Sequence, residues 1–562
     1  MTAQRFLRSN ALPFAVITVA ALLVYWLSLG NEFVIWDDDT LVYNNPLTQL
    51  WTAKNFFGAF ASYDPELYVP LTIISFQIEH LLIEFAPMFY HIDNLMLHIL
   101  NAGLVFLLLQ QLGLRRWTAL AAAMIFTVHP INTEAVAWVS GRKDLLAAFF
   151  SLTALLAYLQ WQVTASRKWL WTGLMCFLCA VLSKPSAIVL PAILLLIDWK
   201  SRGRLTKENV VSKIPFFVLS ILFLIIGLYG KQSNISALSP AETFLLACKS
   251  TVFALGKFFW PSDLSVIYLQ TDAITVALPQ FWIPVVLLGM AGIIIAFVWW
   301  RKGVGCSAPT FGLFWFLLFL IPSFSNFAKD DVYFFSDRYI YLSQIGLLFI
   351  LGMATDLLLQ RFGARTRLML LWSAATPLLL LLTWNAHARS LQWHDSETLY
   401  RNALAKNDRS VVMHYNLGAL EHVRGNLDAA EVEYLKTIDL SPDYVKAHNN
   451  LGVLYKQKGQ IDKALAQLRL ASDMDSGFPD PHSNIGSILM DRGDIDGAIV
   501  ELRAAIAVSE TFAQAHINLG SALGKKGLYE EGLREFRRAF ELAPQLLDGM
   551  PEIKQALENL TP

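Results

Sequence analysis

Long apolar runs separated by short polar segments fill the chain from residue 11 to about residue 386. Such runs predict helices that cross a bilayer, because each crossing needs about 20 mostly apolar residues. The pattern predicts eleven membrane spans, at 11–29, 93–112, 117–130, 145–161, 169–183, 185–198, 214–230, 281–300, 308–322, 339–358 and 368–386. A further apolar segment, 241–259, carries Lys249 and Lys257, so we expect an interfacial or re-entrant helix there.

A different pattern, a repeat of 34 residues, occupies the carboxy-terminal part of the chain. Its most regular element recurs at His414, His448, His482 and His516. Small residues keep the same step at Gly425, Gly459, Gly493 and Gly527, and again at Ala430, Ala464, Ala498 and Gly532. Pro442 and Pro544 close two of the second helices. The period and pattern predict four tetratricopeptide repeats over 411–546, an α-solenoid, after a helical connector at 391–410 and before a capping helix or tail at 547–562.

Composition supports this division into two regions with different solvents. The 562 residues are 55% hydrophobic and only 16% charged, which excludes a single soluble domain and indicates a lipid bilayer as partner. We expect no nucleic acid. Basic residues cluster in alternate polar segments, and by the positive-inside rule these segments are cytoplasmic. Eleven spans then place the amino terminus in the cytoplasm, and the repeats on the outer side.

Three consecutive carboxylates, Asp37, Asp38 and Asp39, follow the first apolar run at the start of the long outer loop 30–92. Acidic side chains near hydrocarbon lose hydration and repel each other, so they persist where they bind a cation, accept protons or lie in a wet pocket. The alternative is a solvated loop with turn-forming aspartates. Three such carboxylates can hold Mg²⁺ or Mn²⁺, but the requirement for a metal is unknown.

Other polar side chains fall on the same predicted side of the membrane. Candidates from these segments are His129, Glu134, Arg142, Lys143, Lys184, Arg338 and Tyr339. A transferase that takes a sugar from a lipid-linked phosphate needs an anionic base for the acceptor and cations for the departing phosphate. Asp37 or Asp38 would supply the base. The phosphate would be held by Arg142, Lys184 and Arg338, for each of which a snorkelling interfacial anchor is the alternative.

Several motifs resemble one family. They are F-x-x-W-D-D at 33–38, H-P-I-N-T-E-A-V-A-W-V-S-G-R-K-D-L-L at 129–146, D-R-Y-I-Y-L at 337–342 and the four terminal repeats. Together they resemble the transmembrane-and-tetratricopeptide O-mannosyltransferases of the eukaryotic secretory pathway and their bacterial relatives. The resemblance implies an all-α GT-C membrane bundle over 1–390, with the catalytic acidic motif in the first outer loop. That family has a paired acid, so Asp39 is extra, and Pro185 follows Lys184 where an acidic residue is expected.

The resemblance also implies an activity. It predicts an inverting transferase that moves a hexose such as mannose from a polyprenyl phosphate to Ser or Thr hydroxyls of exported polypeptide. One alternative is a lipid or glycan glycosyltransferase whose repeats bind assembly partners. Another is a non-catalytic membrane scaffold that binds peptide through its repeats.

One asparagine per repeat occupies a fixed position, at Asn416, Asn450, Asn484 and Asn518. These amides resemble the asparagine ladder of the nucleocytoplasmic O-GlcNAc transferase repeats, which implies that they bind acceptor peptide. The alternative is that each amide bridges adjacent helices. The four repeated histidines are too far apart for one metal site, so we expect them to pack.

Overall fold

The computed structural model describes residues 3–63, 67–230, 238–302, 305–327, 333–543 and 550–558. The chain divides into two compact units, residues 1–406 and residues 407–562. The predicted connector 391–410 contains this boundary.

Seventeen α-helices form the described part of the first unit. They are α1 (Ala3–Tyr25), α2 (Ala53–Ala59), α3 (Pro70–Ile83), α4 (Pro87–Gln111), α5 (Arg116–Val128), α6 (Thr133–Ala137), α7 (Arg142–Thr164), α8 (Arg167–Ser183), α9 (Leu190–Arg202), α10 (Lys207–Val211), α11 (Ile214–Gly230), α12 (Pro240–Phe259), α13 (Pro279–Lys302), α14 (Ala308–Leu320), α15 (Gln344–Leu359), α16 (Ala364–Ser390) and α17 (Ser396–Lys406). Two short strands, β1 (Tyr268–Leu269) and β2 (Tyr333–Phe335), pair antiparallel.

The structure does not show eleven spans. Within the described residues, five helical segments are long and apolar enough to cross a membrane, and six if one bent pair forms a single span. The five are Pro87–Gln111, Val139–Thr164, Pro279–Arg301, Ala308–Ser325 and Ala364–Trp393, and the bent pair is Arg116–Val128 with Pro130–Ala137. The segment 241–259 forms α12, which is not among them.

Five of the predicted spans correspond to apolar helical segments below this length. Segments of 10 to 17 residues cover Asn10–Tyr25, which is the apolar part of α1, Ile214–Gly230 and Gln344–Leu359, while α8 and α9 cover most of 169–183 and 185–198. A helix rises 1.5 Å per residue, so helices of this length fall short of a hydrocarbon core of about 30 Å. The apolar pattern identified the helices but overestimated how many have the length of a span.

Close helix crossings hold the membrane bundle together. At the crossing of α14 and α15, a Cβ atom added to Gly346 would lie 2.2 Å from the carbonyl oxygen of Gly312. Only glycine at both positions permits this approach, which brings the two backbones into contact. By contrast, α13 exposes large apolar side chains such as Ile293 and Trp300, which is the surface expected of a helix that faces lipid.

The first outer loop has a small hydrophobic core of its own. Leu41, Val42, Val69 and Phe76 are buried in it, together with Val139 from the segment before α7. This core includes α3, which lies inside the loop predicted at 30–92. The packing fixes the acidic motif against the segment 139–141.

The second unit consists of paired helices. They are α18 (Val411–Val423), α19 (Leu427–Leu440), α20 (Val445–Gln457), α21 (Ile461–Met474), α22 (Asp480–Asp491), α23 (Ile495–Val508), α24 (Ala513–Lys525), α25 (Tyr529–Leu542) and α26 (Pro551–Glu558). The first helix of each pair ends before a glycine whose φ lies between 73° and 85°. This is the left-handed conformation, which glycine adopts without strain. Pro442 follows α19, whereas Pro544 lies outside the described residues.

Candidate active site

Asp38 is completely buried at the start of the first outer loop. Its Oδ1 accepts hydrogen bonds from the backbone N–H of Ser140 at 2.9 Å and from the Ser140 hydroxyl at 2.6 Å. Its Oδ2 accepts from the backbone N–H of Val34 at 3.0 Å. Burial raises the pKa of Asp38 to about 7, although these hydrogen bonds favour the charged form. Asp38 therefore ties the acidic motif to the segment before α7.

Close packing of that segment depends on one glycine. A Cβ atom added to Gly141 would lie 2.4 Å from the carbonyl oxygen of Ala135 in α6. The absence of a side chain lets residues 139–141 fold back on α6 as a 3₁₀ turn. This turn presents Ser140 to Asp38 and starts α7, whose first residues carry several of the predicted site groups.

Asp37 is the accessible carboxylate of the pair. Its side chain is 34% exposed, and its Oδ2 lies 3.1 Å from the Nζ atom of Lys143. The Lys143 ammonium is nearly buried and lies 4.8 Å from the ring centroid of Trp138. Asp37 is thus oriented by a cation while keeping access to solvent, which a reacting carboxylate requires.

Asp39 begins a short π-helix, Asp39–Tyr43, and has different neighbours. Burial raises the pKa of its carboxyl group, and the Asp37 charge adds to this effect. Burial raises the pKa of Tyr43 to about 12, and Asp39 contributes to that rise. The three consecutive carboxylates therefore have different surroundings and do not form a shared ligand set. In the described part of the chain, no three His, Cys, Asp or Glu residues are placed to hold a metal ion.

Two predicted cations, Lys184 and Arg338, line one cavity with an empty volume of about 580 Å³, counted to its open mouth. Lys184 Nζ lies 2.5 Å from Asp144 Oδ1, and the pKa of Lys184 is lowered to about 8, mainly by burial. Arg338 pairs with Glu134, donates to the Ser336 hydroxyl at 2.7 Å, and lies 4.0 Å from Asp144. Burial lowers the pKa of Arg338, but Glu134, Tyr339, Asp144 and Asp37 together outweigh this effect and hold the pKa above its usual range.

Aromatic rings connect the carboxylate and the cation cavity. The guanidinium carbon of Arg338 lies 5.1 Å from the ring centroid of Trp138, the same ring that Lys143 approaches. Tyr339, which lines the cavity, lies 5.2 Å from the Arg338 guanidinium and 5.8 Å from the Lys184 ammonium. The charge of Asp37 also acts on Arg338. These residues form one charged and aromatic cluster, which we call the outer cluster: Asp37, Glu134, Trp138, Lys143, Asp144, Lys184, Arg338 and Tyr339.

Arg142 lies outside this cluster, in contrast to its predicted role in phosphate binding. Its guanidinium forms a bidentate ion pair with both oxygens of Glu79, at 2.9 and 3.0 Å. It also donates to the backbone carbonyl of Tyr90 at 2.9 Å and to the Asn94 side chain. Through these contacts the Arg142 guanidinium joins α3, α4 and α7. Arg142 does not line the cavity that contains Lys184 and Arg338. Glu79, a single acid within an apolar run, was the sequence signal for this pair.

His129 also has a structural role, because both ring nitrogens are hydrogen-bonded to the backbone. One ring nitrogen lies 2.9 Å from the backbone carbonyl of Phe258, and the other accepts from the Ile131 N–H at 3.2 Å. The imidazole stacks on the Phe258 ring with a centroid distance of 5.3 Å. Sequence reasoning placed His129 with the site but did not identify Trp138, Ser140 and Asp144 as partners. All three lie within the motif at 129–146, which was the available signal.

Three of the four predicted repeat asparagines, Asn450, Asn484 and Asn518, bridge neighbouring repeats. Asn450 donates to the Tyr415 hydroxyl at 3.1 Å. In the same way, Asn484 donates to Asn449 at 2.9 Å, and Asn518 donates to Ser483 at 3.0 Å. Each bond reaches back 35 residues. The geometry is that of the bridging alternative, and it leaves these side chains only partly buried.

The repeated histidines pack between the two helices of each repeat. One ring nitrogen contacts the second helix, where the partner lies 19 residues further along the chain. The pairs are His414 with Glu433, His448 with Gln467, His482 with Glu501 and His516 with Glu535, at 2.5 to 2.7 Å. In three of these repeats the other ring nitrogen bonds a backbone carbonyl six residues earlier.

Known proteins resemble both parts of the chain. A family model described as "TPR repeat" matches residues 420–459 and 486–527, and one described as "Tetratricopeptide repeat" matches 445–478 and 513–546. Among solved structures, the crystal structure of MamA is 22% identical, covers 27% of this chain and 90% of its own, and superposes with a TM-score of 0.24. The two family models confirm the predicted tetratricopeptide repeats.

Longer matches link the chain to curated mannosyltransferases. Protein O-mannosyl-transferase F38B6.6 of Caenorhabditis elegans is 25% identical over 468 residues, covering 78% of this chain and 64% of the relative. Protein O-mannosyl-transferase Tmtc1 of Drosophila melanogaster is 26% identical, covering 67% and 55%. Protein O-mannosyl-transferase TMTC3 of Homo sapiens is 26% identical, covering 75% and 51%. The chain thus spans between about half and two thirds of the length of these relatives.

These matches confirm the resemblance read from the motifs. The chain is similar, at about 25% identity over most of its length, to the transmembrane-and-tetratricopeptide O-mannosyltransferase family. With its apolar helices of membrane length, it is an integral membrane protein.

Proposed function

We propose that this relative of the transmembrane-and-tetratricopeptide O-mannosyltransferases is itself a membrane glycosyltransferase. It transfers a hexose, mannose or a similar sugar, from a polyprenyl phosphate to Ser or Thr hydroxyls of exported polypeptide. The observation that carries this proposal is the outer cluster. In it, the accessible Asp37 carboxylate pairs with Lys143, whose ammonium approaches the same Trp138 ring as the cavity-lining Arg338. Such a cluster provides both groups that the reaction needs, a base and a phosphate site.

In this proposal Asp37 is the general base. It is the exposed member of the acidic pair, whereas Asp38 is buried with hydrogen bonds at both oxygens. The Asp37 carboxylate takes the proton of the acceptor hydroxyl. The hydroxyl oxygen forms a bond to the anomeric carbon while the bond from that carbon to the phosphate oxygen breaks. Attack from the face opposite the departing phosphate inverts the anomeric configuration.

Lys184 and Arg338 hold the phosphate of the donor. Both line the open cavity, and both already lie beside Asp144, a counter-charge that a phosphate can replace. Cations at this position stabilise the negative charge that develops on the leaving phosphate. Arg142, engaged by Glu79, acts instead by holding the start of α7, from which Lys143 and Asp144 extend.

Orientation in the membrane follows from the basic segments. The positive-inside rule assigns the outer cluster to the extracytoplasmic or lumenal face, where the acceptor is an exported polypeptide. The tetratricopeptide repeats bind that acceptor on their concave face. The acceptor peptide is bound by the side-chain amides of Asn416, Asn450, Asn484 and Asn518. The bridging bonds use only one N–H donor each of Asn450, Asn484 and Asn518, so hydrogen-bonding groups remain for the peptide.

The test compares two neighbouring carboxylates in purified full-length protein. Transfer of mannose from a polyprenyl phosphate to a Ser/Thr-rich exported polypeptide is measured for Asp37→Asn and for the matched control Asp39→Asn. We expect Asp37→Asn to lower kcat by roughly 10² or more, the contribution of general base catalysis, while Asp39→Asn keeps most of the activity. Full activity of Asp37→Asn, or an equal loss in both variants, would remove the assignment of the base.

A further inference from the structure

The segment that leads into the acidic motif has no regular secondary structure. Residues 31–34 form neither helix nor strand, so the backbone N–H and carbonyl groups of this stretch need partners from elsewhere in the fold. Ile35 lies two residues before Asp37, and it is 42% exposed. Backbone hydrogen bonds, and not burial of the Ile35 side chain, therefore hold this residue in place.

Both backbone polar groups of Ile35 bond to one helix, α17, at the end of the first unit. The Ile35 N–H donates to the Ser396 hydroxyl at 2.9 Å, and the Ile35 carbonyl accepts from the Tyr400 hydroxyl. Ser396 and Tyr400 are four residues apart, so they lie on the same face of the helix. A hydrogen bond between the two hydroxyls closes a ring of three bonds. These side chains supply the partners that regular secondary structure would otherwise provide.

The two hydroxyl groups of α17 are shielded from solvent. Tyr400 is completely buried, and Ser396 is nearly so. Burial raises the pKa of the Tyr400 hydroxyl above its usual range, and the Asp39 charge adds to this rise. The hydroxyl therefore stays protonated and remains a donor to the Ile35 carbonyl. A hydrogen bond in such surroundings is stronger than the same bond exposed to water.

The turn before α17 makes further contacts with the same region. The Glu32 N–H donates to the His394 carbonyl at 2.8 Å. Trp393 stacks on Trp138 of the outer cluster, with ring centroids 5.8 Å apart. The end of the first unit is therefore attached both to the segment before the acidic motif and to an aromatic ring that the cations of the outer cluster approach.

We propose that Ser396 and Tyr400 are positioning residues, which direct the Asp37 carboxylate through their bonds to the Ile35 backbone. This inference rests on the proposed function, in which Asp37 takes the proton of the acceptor hydroxyl. Ser396 and Tyr400 act through the backbone and need no contact with the substrate. Because a single residue separates Ile35 from Asp37, a shift of the Ile35 backbone moves the Asp37 side chain with it.

The acidic motif is held from two sides. Asp38 is bonded to Ser140 on one side, and Ile35 is bonded to α17 on the other. Asp37 lies between these two points, and its carboxylate meets the Lys143 ammonium at 3.1 Å. Loss of the α17 bonds leaves the motif attached through Asp38 but lets the Asp37 carboxylate turn away from its cation. A displacement of about 1 Å can lower a rate by roughly 10², so even a partial turn is measurable.

Ser396→Ala and Tyr400→Phe in the full-length protein each remove one bond to Ile35. Tyr63→Phe is the matched control, because the Tyr63 hydroxyl also donates to a backbone carbonyl of this unit, that of Ile226 at 3.0 Å. A water-soluble carbodiimide with glycine ethyl ester labels accessible carboxylates, and tandem mass spectrometry resolves Asp37 from its neighbours. We expect labelling of Asp37 to be roughly threefold faster or more in both α17 variants, the effect of losing a partly exposed ion pair, and unchanged in Tyr63→Phe.

Transfer kinetics are the second measurement. We expect kcat to fall by roughly tenfold in both α17 variants, with an unchanged KM for the lipid donor, because Lys184 and Arg338 still hold the phosphate. Unchanged labelling of Asp37 in both variants overturns the proposal, and so does faster labelling with the kcat of the wild type. Absence of transfer in the wild type overturns the proposed function instead, and the labelling rates then decide by themselves whether α17 positions Asp37.

Discussion

Replacement of Asp38 by asparagine tests whether this buried carboxyl group supports the acidic motif. The side chain accepts from Val34 on one oxygen and twice from Ser140 on the other. An asparagine has one acceptor oxygen and one NH₂ group in place of the two carboxylate oxygens. Its NH₂ group must therefore face either the Val34 N–H or the Ser140 donors, which leaves a donor opposite a donor. An unsatisfied buried donor costs about 1–3 kcal/mol, which is the expected loss of unfolding free energy when wild-type Asp38 is protonated.

The effect depends on pH with a definite sign. The pKa of Asp38 is about 7 in the folded protein, against roughly 3.9 for an unfolded aspartate. The folded state therefore binds this proton more tightly, and the resulting stability is fully present below pH 4 and lost as the pH rises to about 7. The difference between the folded and unfolded pKa values corresponds to roughly 4 kcal/mol of unfolding free energy. About 3 kcal/mol of this stability is lost above pH 5. Asparagine does not titrate, so the variant lacks this loss.

Thermal unfolding of the detergent-solubilised protein at one scan rate measures the outcome. We expect Asp38→Asn to unfold at a lower temperature than the wild type at pH 5, and at an equal or higher temperature at pH 8. Ser140→Ala is the control, because it removes one hydrogen bond worth about 1 kcal/mol but retains the titrating carboxyl group. The same difference between Asp38→Asn and wild type at both pH values would refute the assignment of a buried, proton-binding Asp38.

Two further predictions concern the cavity and the membrane bundle. Because burial lowers the pKa of Lys184 to about 8, its charge is present below pH 8 and lost above it, so kcat/KM for the lipid donor should fall as the pH rises through 8. Lys184→Arg should remove this decline, since arginine stays charged, and a persistent decline in its pH profile would assign the titration to another group. Gly346→Ala should lower the free energy of unfolding by about 1–3 kcal/mol, because its Cβ would meet the Gly312 carbonyl oxygen. Gly363→Ala, with no neighbouring atom within 4 Å, is the matched control, and equal unfolding temperatures of the two variants would contradict the close crossing.

The repeats were predictable from sequence because their contacts are local and periodic. The spacing of 19 residues between His516 and Glu535 appears four times, and the spacing of 35 residues between Asn518 and Ser483 appears three times. Repetition makes such a pattern visible without a structure. The membrane spans were less predictable, because an apolar run shows that a helix is buried or faces lipid but not where its ends lie.

The charged residues of the candidate site could be identified from the sequence, but the partner of each residue could not. Asp38 meets Ser140 across 102 residues, and Arg338 meets Glu134 across 204. No local pattern shows which of two adjacent aspartates turns inward, or that Arg142 is engaged by Glu79 across 63 residues. The motifs contain most of the charged groups of the outer cluster, but the pairing of these groups depends on how the helices between them pack.

The hydrogen bonds of the repeated histidines have a consequence for how this chain changes in evolution. Each histidine bonds the second helix of its own repeat through one ring nitrogen, and Gln467, which takes the place of glutamate beside His448, shows that this partner need not be charged. A duplicated or deleted unit of 34 residues therefore carries this bond with it. Its contacts with the neighbouring units, which include the shared apolar core and the bond from Asn484 to Asn449, recur with the same period. The length of the solenoid can change in whole units without a new core, while the charged groups at the membrane stay as they are.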